Sequence, residues 1–310
     1  MHPVNGMLLA AGRGERMEPL SSVIPKPALE VLGRPLLASA LAQLRGAGCE
    51  RVVVNLHRHP EMVATAARDA GGELMASWEP ELLGGAGGLS AARPLLATSA
   101  VLVGNADVWS DLDLAPLLGA GDDGTAVLAL LPHPDPARWS SVVLDEEGRV
   151  QALVPRGATH SGERYLFTGF QLVGAAVVAT LPAPPAEMPL VWQALLRRGA
   201  LRGVTVHGAW HEVGTPGEYR ELVTWLLGQD SWADPQATVS EGARVQRSAI
   251  GAGCRVGADA GVSESVLTAG AAVEDGCELQ RCVLAGPVTV AGASTFADTL
   301  ILPQGRFPLH

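Results

Sequence analysis

The chain has 310 residues, a formal net charge of −10 and four cysteines. That length suggests two domains, and an acidic balance with few basic clusters argues against a nucleic-acid polymer as partner. No apolar run is long enough to span a membrane, and residues 1–6 lack the basic start of a secretory signal. Cys49, Cys254, Cys277 and Cys282 show no Cys-x-x-Cys spacing, which reads as reduced thiols in a cytoplasmic protein without a membrane partner.

Residues 1–228 alternate short β-like and helix-like runs, the pattern of an α/β domain with a mostly parallel sheet. Met7 to Ala10 reads as a buried strand, Pro35 to Arg45 as an amphipathic helix closed by Gly46 and Gly48, and Arg51 to Leu56 as a second strand. Glu61 to Ala70 reads as a helix. Ala100 to Asn105 is a strand whose carboxyl end leads to Asp107, where an open α/β sheet keeps its ligand groups. Strands are expected at Thr125–Leu131, Ser141–Leu144 and Tyr165–Val173, and helices at Val191–Arg198 and Pro216–Leu227. Residues 229–238 read as a polar connector.

From 239 to 310 the pattern changes. Apolar residues fall at Val239, Val245, Ile250, Val256, Val262, Leu267, Val273, Leu279, Leu284, Val290, Phe296 and Ile301, a 6-5-6 step that repeats every 17 residues. Ser248, Ser265, Cys282 and Thr299 form a second row at the same spacing. Neither a helix nor a two-sided strand gives this period. It marks a hexapeptide-repeat β-helix, in which each flat face contributes one inward apolar residue per repeat. The segment holds no histidine before His310, so an acyltransferase working through it lacks a base.

The strand Met7–Ala10 runs into Ala11-Gly12-Arg13-Gly14-Glu15-Arg16-Met17, followed by Pro25-Lys26-Pro27 and Val31-Leu32-Gly33-Arg34-Pro35-Leu36. Glycines let backbone N–H groups approach phosphate oxygens and form an anion nest, while Arg16 and Lys26 supply charge for a leaving pyrophosphate. Together they read as a cradle for a nucleoside triphosphate. The third glycine of a dinucleotide fingerprint is replaced by Met17, and no Gly-Lys-Ser/Thr follows Gly14.

The whole string resembles the signature of the sugar-1-phosphate nucleotidylyltransferases, Gly-x-Gly-x-Arg-Met/Leu, Pro-Lys-Pro and Val-x-Gly-x-Pro-Leu. The resemblance implies an α/β fold with a Rossmann-like mostly parallel sheet of the nucleotide-diphospho-sugar transferase type, followed by a left-handed β-helix that serves assembly of a homo-oligomer. It implies attack of a sugar-1-phosphate on the α-phosphorus of an NTP, with Mg²⁺ as cofactor. Ala10, Ala11, Gly12, Arg13 and Gly14 would then meet the nucleotide, with Arg16 and Lys26 catalytic. Leu82 to Leu89 resembles the base-reading loop Leu-Gly-Thr-Ala-Gly, so Gly84, Gly85, Gly87 and Gly88, with Asn105, are expected around the base; Gly85 replaces the usual threonine. Asp107 and Glu212 are the expected metal ligands. Here Ala106 replaces a glycine, and Glu212 an aspartate. At the sugar, Thr168-Gly169 matches a small-Gly strand, and Arg156 stands near where the family often has the lysine of Glu-Lys-Pro. Trp109 and Trp139 are candidates to stack on sugar or base, and His211 is a flanking residue rather than a ligand. The resemblance extends to mannose-1-phosphate guanylyltransferases and to N-acetylmuramate-1-phosphate uridylyltransferases, with a guanylyltransferase preferred. A UTP- or dTTP-dependent transferase, or a catalytically weak nucleotide-sugar-binding regulatory subunit, is the alternative.

Overall fold

The computed structural model describes residues 4–71, 74–96 and 100–310, so the opening residues 1–3 lie outside the described residues. The chain divides into two compact units, residues 1–12 with 37–210 and residues 13–36 with 211–310. The glycine-rich segment from Arg13 to Leu36 and the helix at Pro216–Leu227 group with the repeats.

The first unit is built on a nine-stranded sheet. Asn5–Leu9 lies between Val101–Asn105 and Val52–Leu56, and Met75–Trp78 pairs outside the latter, all parallel. Val52, Val53, Val54, Met7 and Leu8 are buried, as a strand covered on both faces requires. The nine-residue strand Tyr165–Val173 reverses direction against Val101–Asn105 and carries Ala126–Pro132, Ser141–Leu144 and, through these, Leu201–Thr205 and Val150–Val154. Its register against Ala126–Pro132 slips between Phe167 and Gln171, a bulge centred on Thr168-Gly169-Phe170. Among the described residues, six α-helices belong to this unit: α1 (Leu37–Gly46), α2 (Pro60–Asp69), α3 (Gly84–Leu96), α4 (Ala115–Leu118), α5 (Ala175–Ala179) and α6 (Met188–Arg197).

α3 corrects the expected loop at 82–89. Glycine disfavours helix by about 1 kcal/mol per residue, so four glycines in five positions signal a turn, yet close packing overrides propensity. A Cβ on Gly87 would lie 3.0 Å from Ala186 N and one on Gly88 would lie 2.6 Å from Glu79 Oε1. The helix exists with glycines because only glycines let its first turns come this near to their neighbours.

The second unit holds α7 (Pro216–Leu227) and the repeats. The repeats form three parallel faces. One stacks Thr238–Val239, Arg255–Val256, Ala272–Val273 and Thr289–Val290, and another Arg244–Gln246, Gly261–Ser263, Glu278–Gln280 and Thr295–Ala297. Every pairing is offset by 17 residues, as in Val245 opposite Val262 and Val262 opposite Leu279. This is the hexapeptide-repeat β-helix whose left hand the resemblance implies. The third face opens with Trp232–Ala233, paired with Ala249–Ile250, so the expected connector 229–238 already carries repeat strands. At the far end, Gly305–Pro308 folds back antiparallel on Thr299–Leu302.

The second row in the sequence lies at an inner corner. Ser248 Oγ donates to Gln246 O and accepts the Ser265 N–H at 3.0 Å, and Ser265 Oγ in turn accepts the Cys282 N–H at 2.9 Å. A hydroxyl there satisfies a buried N–H one coil above it. The residue before each member, Arg247, Glu264, Arg281 and Asp298, takes positive φ between 47° and 51°. Their charges alternate up the stack, with Arg281 pairing Asp298 through two 2.6 Å contacts and holding its carboxyl below the usual range. All four cysteines are free and buried. No helix among the described residues is long and apolar enough to cross a membrane.

Leu279 is 1% exposed, between Val262 and Phe296 in the stack. Leu279→Ala is expected to lower unfolding stability by about 2–5 kcal/mol, read from a denaturant titration; an unchanged midpoint would mean that the interior of the repeats does not carry their stability.

Candidate active site

In the first unit, the parallel strands end on one edge of the sheet and deliver the candidate residues there. Leu9 stands opposite Asn105 in the register, and the chain continues to Ala10 and Ala11, which are 5% and 3% exposed. The Ala10 N–H donates to Asn55 Oδ1 at 2.6 Å, and the Ala106 N–H donates to Leu9 O at 3.0 Å. Asp107 follows in the turn before Val108–Ser110, half-buried. Ala106 is fully buried and does not take positive φ, so alanine replaces the family's glycine without backbone strain. Gly12 is open, with nothing within 4 Å of where a Cβ would stand.

Gly169 has φ +91°, and a Cβ there would press on Asn105 at 3.2 Å, so the bulge needs glycine. Thr168 is fully buried and its hydroxyl donates to Ala129 O at 3.0 Å. Its side chain is therefore turned into the sheet, which corrects its expected contact with sugar: its part is to shape the bulge. The Thr168 carbonyl accepts Trp210 Nε1–H at 2.8 Å. Trp139 meets Trp210 edge-on at 5.7 Å, under the Arg138 guanidinium at 4.2 Å, and Trp109 is half-buried in its own strand. Arg156 is exposed in the turn after Val150–Val154 and, among the described residues, forms no ion pair.

At the start of α3, Gly84 has φ +74° and the Gly85 N–H donates to the Glu187 carboxylate at 3.2 Å. A Cβ on Gly85 would lie 3.2 Å from Met188 Cγ, so a methionine occupies the space that the family's threonine would need. The Gly87 N–H donates to Ala186 O at 2.9 Å. Gly88 leaves room for Glu79 and Asn55, two buried side chains that sequence reasoning missed. Asn55 Nδ2–H donates to Glu79 Oε1 at 2.7 Å, and Glu79 Oε2 accepts the Leu83 N–H at 3.0 Å. The one signal available was a carboxylate and an amide at the ends of adjacent apolar strands.

In the second unit, Gly14 takes φ +64° and caps a turn of 3₁₀ helix at Glu15–Met17. Its carbonyl accepts the Ser21 hydroxyl at 3.0 Å, and a Cβ would lie 3.3 Å from Ser21 Cβ and 4.0 Å from Lys26 Cβ. Lys26, between two prolines, is 8% exposed. Arg13 is exposed and 3.7 Å from Glu15. Arg16 Nη2 stands 2.9 Å from Glu212 Oε1, so the expected catalytic cation and an expected metal ligand form an ion pair. Gly214 makes room for it, since a Cβ there would lie 2.7 Å from both Arg16 Nη1 and Glu218 Oε2. Glu218 completes a capping box with Thr215 at the start of α7, and its carboxylate accepts the Gly214 N–H at 2.6 Å. The spacing Thr215-x-x-Glu218 is the sequence mark of such a box. His211 packs on Trp225 with ring centres 4.3 Å apart, and burial lowers its pKa.

The signature hairpin closes with Leu32 at φ 49° and Gly33 at φ 79°, the left-handed pair of a tight two-residue turn. A Cβ on Gly33 would lie 2.9 Å from the Trp232 ring, and Tyr219 donates its hydroxyl to Glu30 O. Burial, and then the nearby Asp234 charge, raise the Glu30 pKa. Among the described residues no group of three or more His, Cys, Asp or Glu side chains could enclose a metal. Asp107 in the first unit and Glu212 in the second are each a hard-oxygen donor of the kind magnesium takes alongside phosphate and water.

The nucleotidyl transferase family model matches residues 5–227, and the GlmU-like C-terminal hexapeptide model matches residues 229–296. The chain is 24% identical over 316 residues to mannose-1-phosphate guanylyltransferase 1 of Arabidopsis thaliana, covering 96% of this chain and 86% of that protein. It is 27% identical over 303 residues to mannose-1-phosphate guanylyltransferase of Mycobacterium tuberculosis, covering 90% and 84%. It is 33% identical over 226 residues to N-acetylmuramate alpha-1-phosphate uridylyltransferase of Neisseria meningitidis serogroup B, covering 68% and 94%. The crystal structure of HddC from Yersinia pseudotuberculosis superposes with a TM-score of 0.61 at 21% identity, over 72% of this chain and 99% of that one, a likeness of fold.

A carboxyl group with a raised native pKa favours the folded state in acid, and that contribution fades as pH rises through the native pKa. Glu30→Gln is therefore expected to raise the melting temperature at pH 8, with the gain shrinking toward pH 4. An equal gain at both pH values would place its origin outside the Glu30 charge.

Proposed function

We propose, from the premise that the chain belongs to the nucleotidyl transferase family, that it transfers a nucleotidyl group from an NTP to a sugar-1-phosphate and releases pyrophosphate. The observation that carries this reading is the segment in which Gly14, held left-handed, lies beside the stem of Lys26 and is followed by the Arg16–Glu212 pair. GTP and mannose-1-phosphate are the first substrates to try. Relatives named for that activity match this chain through the repeats as well as the first domain. UTP is the second, because the uridylyltransferase relative shares the higher identity, 33%.

The reaction needs alignment and charge neutralisation more than acid–base chemistry. Backbone N–H groups of Gly12 to Gly14 bind phosphate oxygens. Lys26, nearly buried, meets the leaving pyrophosphate with a strongly felt charge. Arg16 holds the Glu212 carboxylate in advance of the substrate and offers its remaining donors to phosphate. Asp107 and Glu212 are each a candidate ligand for magnesium, which when bound supplies neutralisation of the phosphate charges. Asn105, beside Gly169, borders the nucleotide and sugar ends. Four buried free thiols support a cytoplasmic setting, and the repeats support assembly of like chains.

Lys26→Ala and Asp107→Ala are each expected to lower kcat by about 10²–10³-fold with little change in melting temperature, read as magnesium-dependent pyrophosphate release. Near-normal turnover in Asp107→Ala would remove that residue from the metal. Silence of the native chain with GTP, UTP and dTTP on every sugar-1-phosphate, while nucleotide-sugar still binds, would establish the regulatory-subunit reading instead.

A further inference from the structure

Glu79 is an acidic side chain 1% exposed at the carboxyl end of an edge strand, and no ion pair offsets its charge among the described residues. A buried carboxylate persists only when hydrogen bonds to it replace water. Glu79 receives two, from Asn55 Nδ2 at 2.7 Å and from the Leu83 N–H at 3.0 Å. Its backbone is fixed as well: the Glu79 N–H donates to Leu56 O at 2.8 Å and its carbonyl meets His57 Nδ1 at 2.9 Å. Asn55, 3% exposed, passes the connection on through Oδ1 to the Ala10 N–H at 2.6 Å. Gly88 leaves the space in which the carboxylate and the amide meet.

The polarity of this chain of bonds has one solution. An amide can turn either end toward a neighbour, but an ionised carboxylate only accepts. Glu79 therefore forces Asn55 to present Nδ2 to it, which leaves Oδ1 for the backbone N–H of Ala10. The same carboxylate holds Leu83, the residue before α3. One charge thus ties the beginning of the glycine segment to the start of the helix that carries Gly84 and Gly85.

We propose that Glu79 is a positioning residue for the nucleotide: through Asn55 it sets the Ala10 end of the glycine segment and the Leu83 start of α3 in one fixed relation, which is the form that takes up NTP. The proposal rests on the nucleotidyl-transfer reading only in naming the ligand. Glu79→Gln keeps the size and removes the acceptor-only character. Its amide then faces the Asn55 amide, and no combination of flips satisfies Ala10, Asn55 and Leu83 together. The double variant Glu79→Gln/Asn55→Asp restores every bond with reversed polarity: the new amide donates to the new carboxylate, which accepts from Ala10, and the new carbonyl accepts from Leu83.

The test is calorimetric binding of GTP and of UTP with Mg²⁺ to the full chain, with sugar-1-phosphate KM and melting temperature measured alongside. For whichever nucleotide the native chain binds, Glu79→Gln is expected to weaken binding about ten- to a hundredfold with an unchanged sugar-1-phosphate KM, and the double variant to return within about threefold of the native value. A single variant too unstable to fold, with a double variant that folds and binds normally, supports the relay equally. Native affinity in folded Glu79→Gln, or a double variant as impaired as the single, overturns it. Native binding without turnover would sink the transferase reading and leave this test intact.

Discussion

The hydrogen bond from the Ala10 N–H to Asn55 Oδ1, 2.6 Å long and buried, is the contact on which the first unit's ligand edge depends. A parallel strand that ends inside a protein leaves backbone donors that must find partners. Here the strand Asn5–Leu9 finds its next partner in the side chain of the neighbouring strand, and Leu9 O is taken by the turn that carries Asp107. Backbone satisfaction, rather than contact among the reactive side chains, therefore sets where the glycine segment begins and where Asp107 stands. The small residues around it follow from the same crowding: Gly88 makes way for the relay, Gly169 for Asn105, and Ala106 is fully buried.

In the second unit a different constraint governs. The segment 13–36 has little regular structure of its own, only three turns of 3₁₀ helix and a two-strand hairpin. It gains rigidity from what it packs on: Trp232 from the first coil of the repeats against Gly33, the Tyr219 hydroxyl on Glu30 O, and Val23 at Gly286. The repeats thus do more than extend the chain. Their first coil, at Trp232, and a later turn, at Gly286, form part of the bed on which Arg16 and Lys26 are carried. Arg16 is then paired with Glu212 in the space that Gly214 leaves open, so an exposed side chain acquires a defined position.

How much of this was legible in the sequence differs by element. The 17-residue period was read to the residue, because the circumference of a coil fixes which side chains point inward, and each step of 6, 5 and 6 became one face. The strands that end at Leu9, Leu56, Asn105 and Val173 were legible as runs of buried apolar residues. The helix at Gly84–Leu96 was not, since glycine propensity and glycine packing give opposite signals and only tertiary contact decides between them. Nor was the strand Trp232–Ala233, which has no earlier coil to repeat. Within the site, Gly14, Lys26 and Asp107 stood out from motif and strand position. The Asn55–Glu79 pair did not, because its members lie 24 residues apart and each looks ordinary alone. Thr168 was read as a sugar contact from its place beside Gly169, whereas the bulge turns its hydroxyl inward to Ala129.

In the proposed reaction the α-phosphorus of an NTP moves to a sugar phosphate. The most direct measurement is a ³¹P NMR spectrum of the native chain mixed with Mg²⁺, GTP and mannose-1-phosphate, and in parallel with UTP. In one mixture the sugar-phosphate resonance is expected to give way to the coupled pair of a nucleotide-sugar diphosphate, with pyrophosphate appearing in equal amount. Appearance of inorganic phosphate and nucleoside diphosphate with the sugar phosphate intact would contradict it, because the bond broken would then lie at the γ-phosphorus.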